Sequence, residues 1–405
     1  MRDLQKILEL AKNALDKPPK YGLNIDFSEY SRLPSSLINS IKQIENEAYN
    51  VGIDLNIKKA GAYVQLDHKP FYEYISKIYD GKIEVMSIRE AFKKHDWLLD
   101  YFWETIRPDM DKFTARAAIE WDDGYFFRVM PNVKVTLPIQ SCMLIGSKSF
   151  NQNVHNIVIA EENSEVQVLS GCTAHRLVDK ALHIGITEFY IKNNAKLIFT
   201  MIHKWPSKAD ARPRTGAIIE NNGTFISNYI LIGEVNSLQT FPIAYLKGEN
   251  SKVEFNSILN IWGKSLIDVG SEINLEGGRS SGRILTRAII NDEAQLFARG
   301  RIIGIGEKTK GHMECSSLLL SKKAKVIAIP ELNALIDDSE LTHEAAIGKI
   351  AEEQIEYLMS KGIPKDEAIS MIVRGFVDTR ILGLPIEIEE NIKRIISSIA
   401  STKKI

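Results

Sequence analysis

A short module recurs through the middle of this 405-residue chain: a residue suited to a turn, a small residue, then a strand-like apolar alternation. It starts at Asn163, Asn194, Asn222 and Asn250, and returns at Gly270, Glu293 and Lys323. Copies follow one another at roughly 20 to 30 residues, the period of solenoid repeats. A unit that short cannot bury its own apolar face, but stacked on its neighbours it can. A parallel β-helix meets this requirement, with the small residues at its corners. An antiparallel sandwich also gives short strands and Asn or Gly turns, but it does not call for a corner that repeats in sequence.

Periodicity divides the chain into three. Residues 1–118 are expected to be helical, with apolar residues three and four apart in 71–80 and 88–106, and the region closes on 111–118. Residues 119–336 carry the β texture. Residues 337–405 revert to helical spacing: a helix over 340–361, a second from Pro364 towards Leu382, and a third after Pro385. The expected fold class is mainly β, a parallel β-helix core with N-terminal and C-terminal α-helical regions. The last helices serve either as a cap on the open solenoid end or as a docking module, the cap being the simpler role.

A net charge of −1 without a basic stripe argues against nucleic-acid binding. No apolar run reaches the ~18 residues of a spanning helix, and the charged N-terminus does not read as a signal peptide. These features point to the cytoplasm. The GRSSGR run at 278–283 lacks the Lys-Ser or Lys-Thr of a P-loop, so any ATP dependence is expected to reside in a partner.

Only three cysteines are present, Cys142, Cys172 and Cys315. An odd, sparse set makes no disulfide framework and cannot supply four thiolates to a cluster within one chain. A cluster would have to borrow nitrogen, oxygen or a second subunit. Cys315 is accompanied by His312 and Glu314, and His343 and Glu344 follow about one coil later. Thiolate, imidazole and carboxylate are the side chains that hold iron or zinc. Strand neighbours point to opposite faces, so Glu314 and Cys315 need a bend or a subunit interface to meet. Glu314 and Glu344 also read simply as solvated charges, with Glu344 near a helix start. Cys172, in LSGCTAHR, reads in two ways. It is a thiolate on an accessible turn, activated by His175 and Arg176, or a small buried residue at a corner. His183 and His203 read as packed strand residues, and Cys142 as core.

The segments GRSSGR…FARGRIIGIGEKTKGHMECSSLLLSKKAKVIAIPEL and LTHEAAIGKIAEEQIEYLMSKGIPKDEAISMIVRGF resemble the C-terminal half of the SufB/SufD iron–sulfur assembly proteins. GCTA at 171–174 and DKFTARAAIEWDDGYFFRVMPNVKVTLPI fit the same family in order. The resemblance implies a right-handed β-helix and docking of a SufC-like ABC ATPase through the C-terminal helices. It also implies a homodimer, or a heterodimer with a SufB/SufD paralog, through the β-helix. The chain would be a scaffold and not an enzyme, taking sulfur from a cysteine desulfurase system. It would build a transient 4Fe-4S or 2Fe-2S cluster and pass it to client apo-proteins. By this resemblance Cys172 is the sulfur acceptor and Cys315 the interface cysteine, with His343 and Glu344 as candidate ligands beside it. Having both cysteines and the His-Glu-Ala element favours a SufB-type subunit. A SufD-like structural partner is the alternative. A β-helix polysaccharide lyase ranks last, because the repeats lack paired carboxylates.

Overall fold

The computed structural model describes residues 3–38 and 40–376. It is mainly β, a parallel solenoid of about eight turns with helices at both ends. The expected third helix, after Pro385, lies outside the described residues.

Asparagines set the corners. Asn132, Asn163, Asn194, Asn222 and Asn250 all have φ between 54° and 63°, the left-handed region that Asn tolerates better than most side chains. Each carboxamide is also bonded to the one a coil away: Asn163 Nδ2 donates to Asn132 Oδ1 (3.0 Å), Asn194 to Asn163 (3.1 Å), Asn222 to Asn194 (3.0 Å) and Asn250 to Asn222 (3.3 Å). The coils are therefore 28 or 31 residues long here. Arg279, also left-handed, continues the ladder through Nε to Asn250 Oδ1 at 2.9 Å.

Two sheets face each other across the interior. One stacks Ile139–Ile145, Glu165–Ala174, Lys196–Lys204, Thr224–Gly233, Lys252–Ile261, Ser281–Ile290, Lys310–Leu319 and Glu340–Lys349 in parallel. The other passes through Phe150–Ala160 and Lys180–Ile191 to Gln295–Gly304 and Lys325–Ala334. Between these, three coils break their strand in two, at Arg212/Pro213, Phe241/Pro242 and Gly270/Ser271. Proline has no N–H to give a ladder, which accounts for the first two breaks.

Alternate residues fill the interior, from Tyr63 and Phe127 at one end to Met313 and Cys315 at the other. The outer faces are apolar too, because helices cover them. Ile7, Ala11, Phe113 and Ala117 lie over Ile157, Ile184 and Ile186. Ile44, Ala48, Ile369 and Val373 belong to the layer over Leu144, Ile202, Ile230 and Ile289. The strand Ile139–Ile145 is buried on both faces and so shows no polar–apolar alternation, its Gln140 and Ser141 being as buried as Met143 and Leu144.

Two helical expectations fail. Within 71–80 the chain forms part of strand Lys69–Ile75, antiparallel to Gly61–Leu66. Within 340–361 it forms strand Glu340–Lys349 and then the short helix Glu352–Ser360. In both places pairing to an existing edge overrides local spacing. Among the described residues, the C-terminal helices Glu352–Ser360 and Lys365–Phe376 lie along the solenoid's side and not over its end. Ile369, Val373 and Phe376 pack on its side, against the layer containing Leu318 and Ile289, while Ile327, Leu335 and Ile347 at the end coils stay exposed.

Candidate functional site

Cys172 lies on Glu165–Ala174 and faces the interior with Val166, Val168 and Ala174. It is 1% exposed, not on an accessible turn. Burial pushes its thiol well above the ordinary range, with Cys142 adding to the rise. The proposed activators do not reach it. His175 Nδ1 accepts from Leu177 N (3.4 Å), and Arg176 N donates to Glu47 Oε1 (3.1 Å). The sulfur instead donates weakly to Met201 Sδ at 3.7 Å.

Two histidines join Cys172 inside. His203 is its register partner on the next strand, and His183 comes from the facing sheet. The ligand atoms of Cys172, His183 and His203 all lie within 4.8 Å of one another, and all three residues are buried. The second nitrogen of each ring is held. Gln152 Nε2 donates to the Asp67 carbonyl (2.6 Å), so its Oε1 faces His183 Nδ1 at 2.9 Å. That nitrogen must therefore carry the proton, leaving the lone pair on Nε2. A Cβ at Gly185 would stand 2.8 Å from that Nε2, so glycine leaves the ring its place. His203 Nδ1 meets the Tyr229 hydroxyl at 2.9 Å, and its buried Nε2 has no partner. Burial pulls His183 down to about 3 and His203 well below the imidazole range, so both rings are neutral. Beside them lies a cavity of about 50 Å³, lined by Ser170, Thr187, Met201 and Tyr229 and by Pro213 and Pro242 at the strand breaks. That space admits one or more waters.

Spacing did carry a signal for this trio. His203 follows Cys172 by 31 residues, one coil at this end of the stack, so the pair had to be neighbours on one face.

Cys315 sits on Lys310–Leu319 near the open end, buried and only 7% exposed, its thiol raised mainly by burial. His343 and Glu344 do not begin a helix. Their strand pairs in register, with Met313 opposite His343, Glu314 opposite Glu344 and Cys315 opposite Ala345. Alternation then sorts the five candidates. Cys315 and His343 share the interior face. His312, Glu314 and Glu344 belong to the outer one, where His312 Nδ1 meets Thr342 Oγ1 at 2.8 Å and Glu314 lies 3.7 Å from Arg283 and 3.9 Å from Arg287. Cys315 and His343 line a narrow cleft with Thr286, Ala298 and Ala328, and Glu314 and Glu344 also contribute to its lining. Among the described residues these five form no metal-sized group within one chain.

An interior row connects the two cysteines. Ser170, Met201, Tyr229, Ser257, Thr286 and Cys315 are successive register partners across six strands. Met201 also touches the Cys172 sulfur. Five strand spacings at ~4.8 Å put the two thiols roughly 24 Å apart along the stack.

Residues 143–376, over half the chain, match the model of the SufBD core domain of the SUF system for FeS cluster assembly. The chain belongs to the SufBD family of iron–sulfur cluster assembly proteins. A SufBD family protein of Archaeoglobus fulgidus is 48% identical over 85% of this chain and 92% of its own length. One from Methanothermobacter thermautotrophicus strain Winter is 40% identical over 97% of this chain and 98% of its own. A Staphylococcus saprophyticus member is 29% identical over 83% and 73%. For this SufBD chain the matched core includes Cys172, Cys315 and the row between them, whereas Cys142 falls just outside it. Among the described residues no helix is long and apolar enough to cross a membrane.

Proposed function

We propose that this chain is a SufB-type scaffold that accepts sulfur at Cys172 and assembles a labile iron–sulfur cluster at Cys315. It then passes the cluster to client apo-proteins. One observation carries the reading: the register row from Met201 to Cys315, which joins a buried thiol to a second thiol at the open end. Sulfur taken up at Cys172 as a persulfide from a cysteine desulfurase system would be released as hydrosulfide by a thiol reductant, which supplies the two electrons and becomes a disulfide. It would then pass the hydroxyls of Tyr229, Ser257 and Thr286, of which the first two are half-buried and the last buried. Cys315 and His343 supply too few ligands for a cluster, so a second subunit, a copy of this chain or a paralog, completes the set. The exposed Ile327, Leu335 and Ile347 at the end coils suit such a contact. Having no P-loop, the chain relies on a SufC-like ABC ATPase. The exposed Tyr357, Met359 and Met371 on the C-terminal helices are the docking face. Ile369 and Phe376, on the same helix as Met371, pack against the solenoid and are not part of that face.

The burial of both thiols favours a second reading, a SufD-like partner with no cluster chemistry of its own. Anaerobic purification with the co-expressed ATPase, followed by iron, sulfide and absorbance measurement, separates the two. A scaffold accumulates a cluster that Cys315→Ala abolishes. A structural partner keeps cluster assembly by the complete system whether or not Cys172 and Cys315 are present.

A further inference from the structure

We propose that Cys172, His183 and His203 form an open three-ligand site for one thiophilic divalent metal ion, with its fourth position facing the interior cavity. The inference goes beyond the scaffold reading, since it uses Cys172 as a ligand and requires neither sulfur transfer nor a cluster.

Three independent features of the trio point to a metal. The donor set is thiolate plus two imidazoles, from two strands of one sheet and one of the other, with ligand atoms no more than 4.8 Å apart. Both rings turn Nε2 inward, because Nδ1 of His183 is fixed by Gln152 and Nδ1 of His203 by the Tyr229 hydroxyl. Outer partners on the second ring nitrogen are the usual support of metal-bound histidine. Finally, His203 Nε2 is buried with no partner, an arrangement that costs free energy unless something binds it.

The chemistry balances without electron transfer. The ion takes the lone pairs of two neutral imidazoles. The Cys172 S–H bond breaks as the sulfur–metal bond forms, and the proton leaves to solvent. One thiolate against a divalent ion leaves a single positive charge. A hydroxide or hydrosulfide at the fourth position neutralises it, and the cavity beside Ser170, Thr187 and Tyr229 has room for one. Three protein ligands with one exchangeable position is the form of a reactive zinc-type site and not of a closed structural one.

Cobalt(II) titration of the full chain, carrying Cys315→Ser so that the end thiol cannot contribute, tests this anaerobically. Expected are saturation at one ion per chain, a thiolate-to-cobalt charge-transfer band and the intense visible bands of tetrahedral Co²⁺. His203→Gln should raise Kd at least about tenfold. Tyr229→Phe, which keeps every ligand and loses only an outer hydrogen bond, should raise it by about ten- to a hundredfold. If His203→Gln fails to fold, Tyr229→Phe decides. Absence of the charge-transfer band, or a Kd unchanged in the variants that fold, overturns the site. The readout involves no iron, sulfide or desulfurase, so its failure leaves the scaffold reading standing.

Discussion

Thr286 stands beside Cys315 in register on adjacent parallel strands, and both are buried. The last step of the interior row therefore runs from a hydroxyl to a thiol, with Ile284, Ala298 and Met313 around them. If sulfur follows this row, filling it should uncouple uptake from assembly. Ser257→Leu, one strand earlier, should leave persulfide at Cys172 but sharply lower acid-labile sulfide at Cys315. Overpacking costs ~1–3 kcal/mol of stability, so a thermal melt must accompany the assay. Normal sulfide content in a folded Ser257→Leu protein would rule the route out.

The end site is tested by comparing substitutions. Cys315→Ala should abolish cluster accumulation. Cys142→Ala should keep it, since Cys142 is buried in the outer layer, with burial raising its thiol to about 12. His343→Ala should weaken retention more than His312→Ala, because only His343 shares the face of Cys315. Iron and sulfide per chain, measured anaerobically, rank the variants.

Stability should fall in mild acid. His155, His183 and His203 are fully buried and their folded pKa values lie below the ordinary value, about 3 for His183. The unfolded chain therefore binds more protons than the native one once pH drops below about 6.5. Stability contributed by the neutral rings is complete above that point and is lost as pH falls towards the folded values. At pH 5 the loss is roughly 2 kcal/mol for His183 alone. Urea midpoints at pH 7.5 and pH 5 measure it, and His183→Gln should show a shallower dependence than the parent. An equal slope in the two proteins contradicts the assignment.

The asparagine ladder predicts an unusual ranking at an exposed corner. Asn222→Ala loses two carboxamide bonds and must hold φ 55° with a Cβ, at a cost of ~1–2 kcal/mol for the backbone alone. Asn222→Gly loses the same bonds but tolerates that φ, so it should be the less destabilised of the two. Chemical denaturation orders them.

Docking of the ATPase is addressed on the C-terminal helices. Met371→Asp with Tyr357→Asp should abolish copurification while leaving the melt unchanged, because both side chains are exposed. Ile369→Ala, by contrast, should lower the melting temperature through the contact of Ile369 with the solenoid.

The solenoid was legible because its corners need a left-handed backbone, and the chain meets that need with asparagine at Asn163, Asn194, Asn222 and Asn250. What spacing could not convey was which parity faces inward. Spacing therefore leaves Cys172 between an accessible turn and a buried corner, and it is Val166, Val168 and Ala174, which share its interior face, that decide for burial. The strand Glu340–Lys349 was hidden by residues that favour helices, among them Glu344, Ala345 and Ala346. It is held extended by a ten-residue register with Lys310–Leu319, and intrinsic preference yields to such pairing. His183 was out of reach because its approach to Cys172 depends on how the two sheets face, a tertiary fact.

The broken strands carry a consequence for how such a site is gained or lost. A coil with two uninterrupted strands fills its own interior with side chains. Here Pro213 and Pro242, at two of the breaks, line the cavity beside Cys172. The reactive interior thus depends on residues that touch neither sulfur nor metal. Exchanging those prolines for residues that can complete the ladder would mend the sheet and close the room. A descendant could then keep all three cysteines and every histidine and still be chemically silent, identical in its reactive residues but with no space in which to use them.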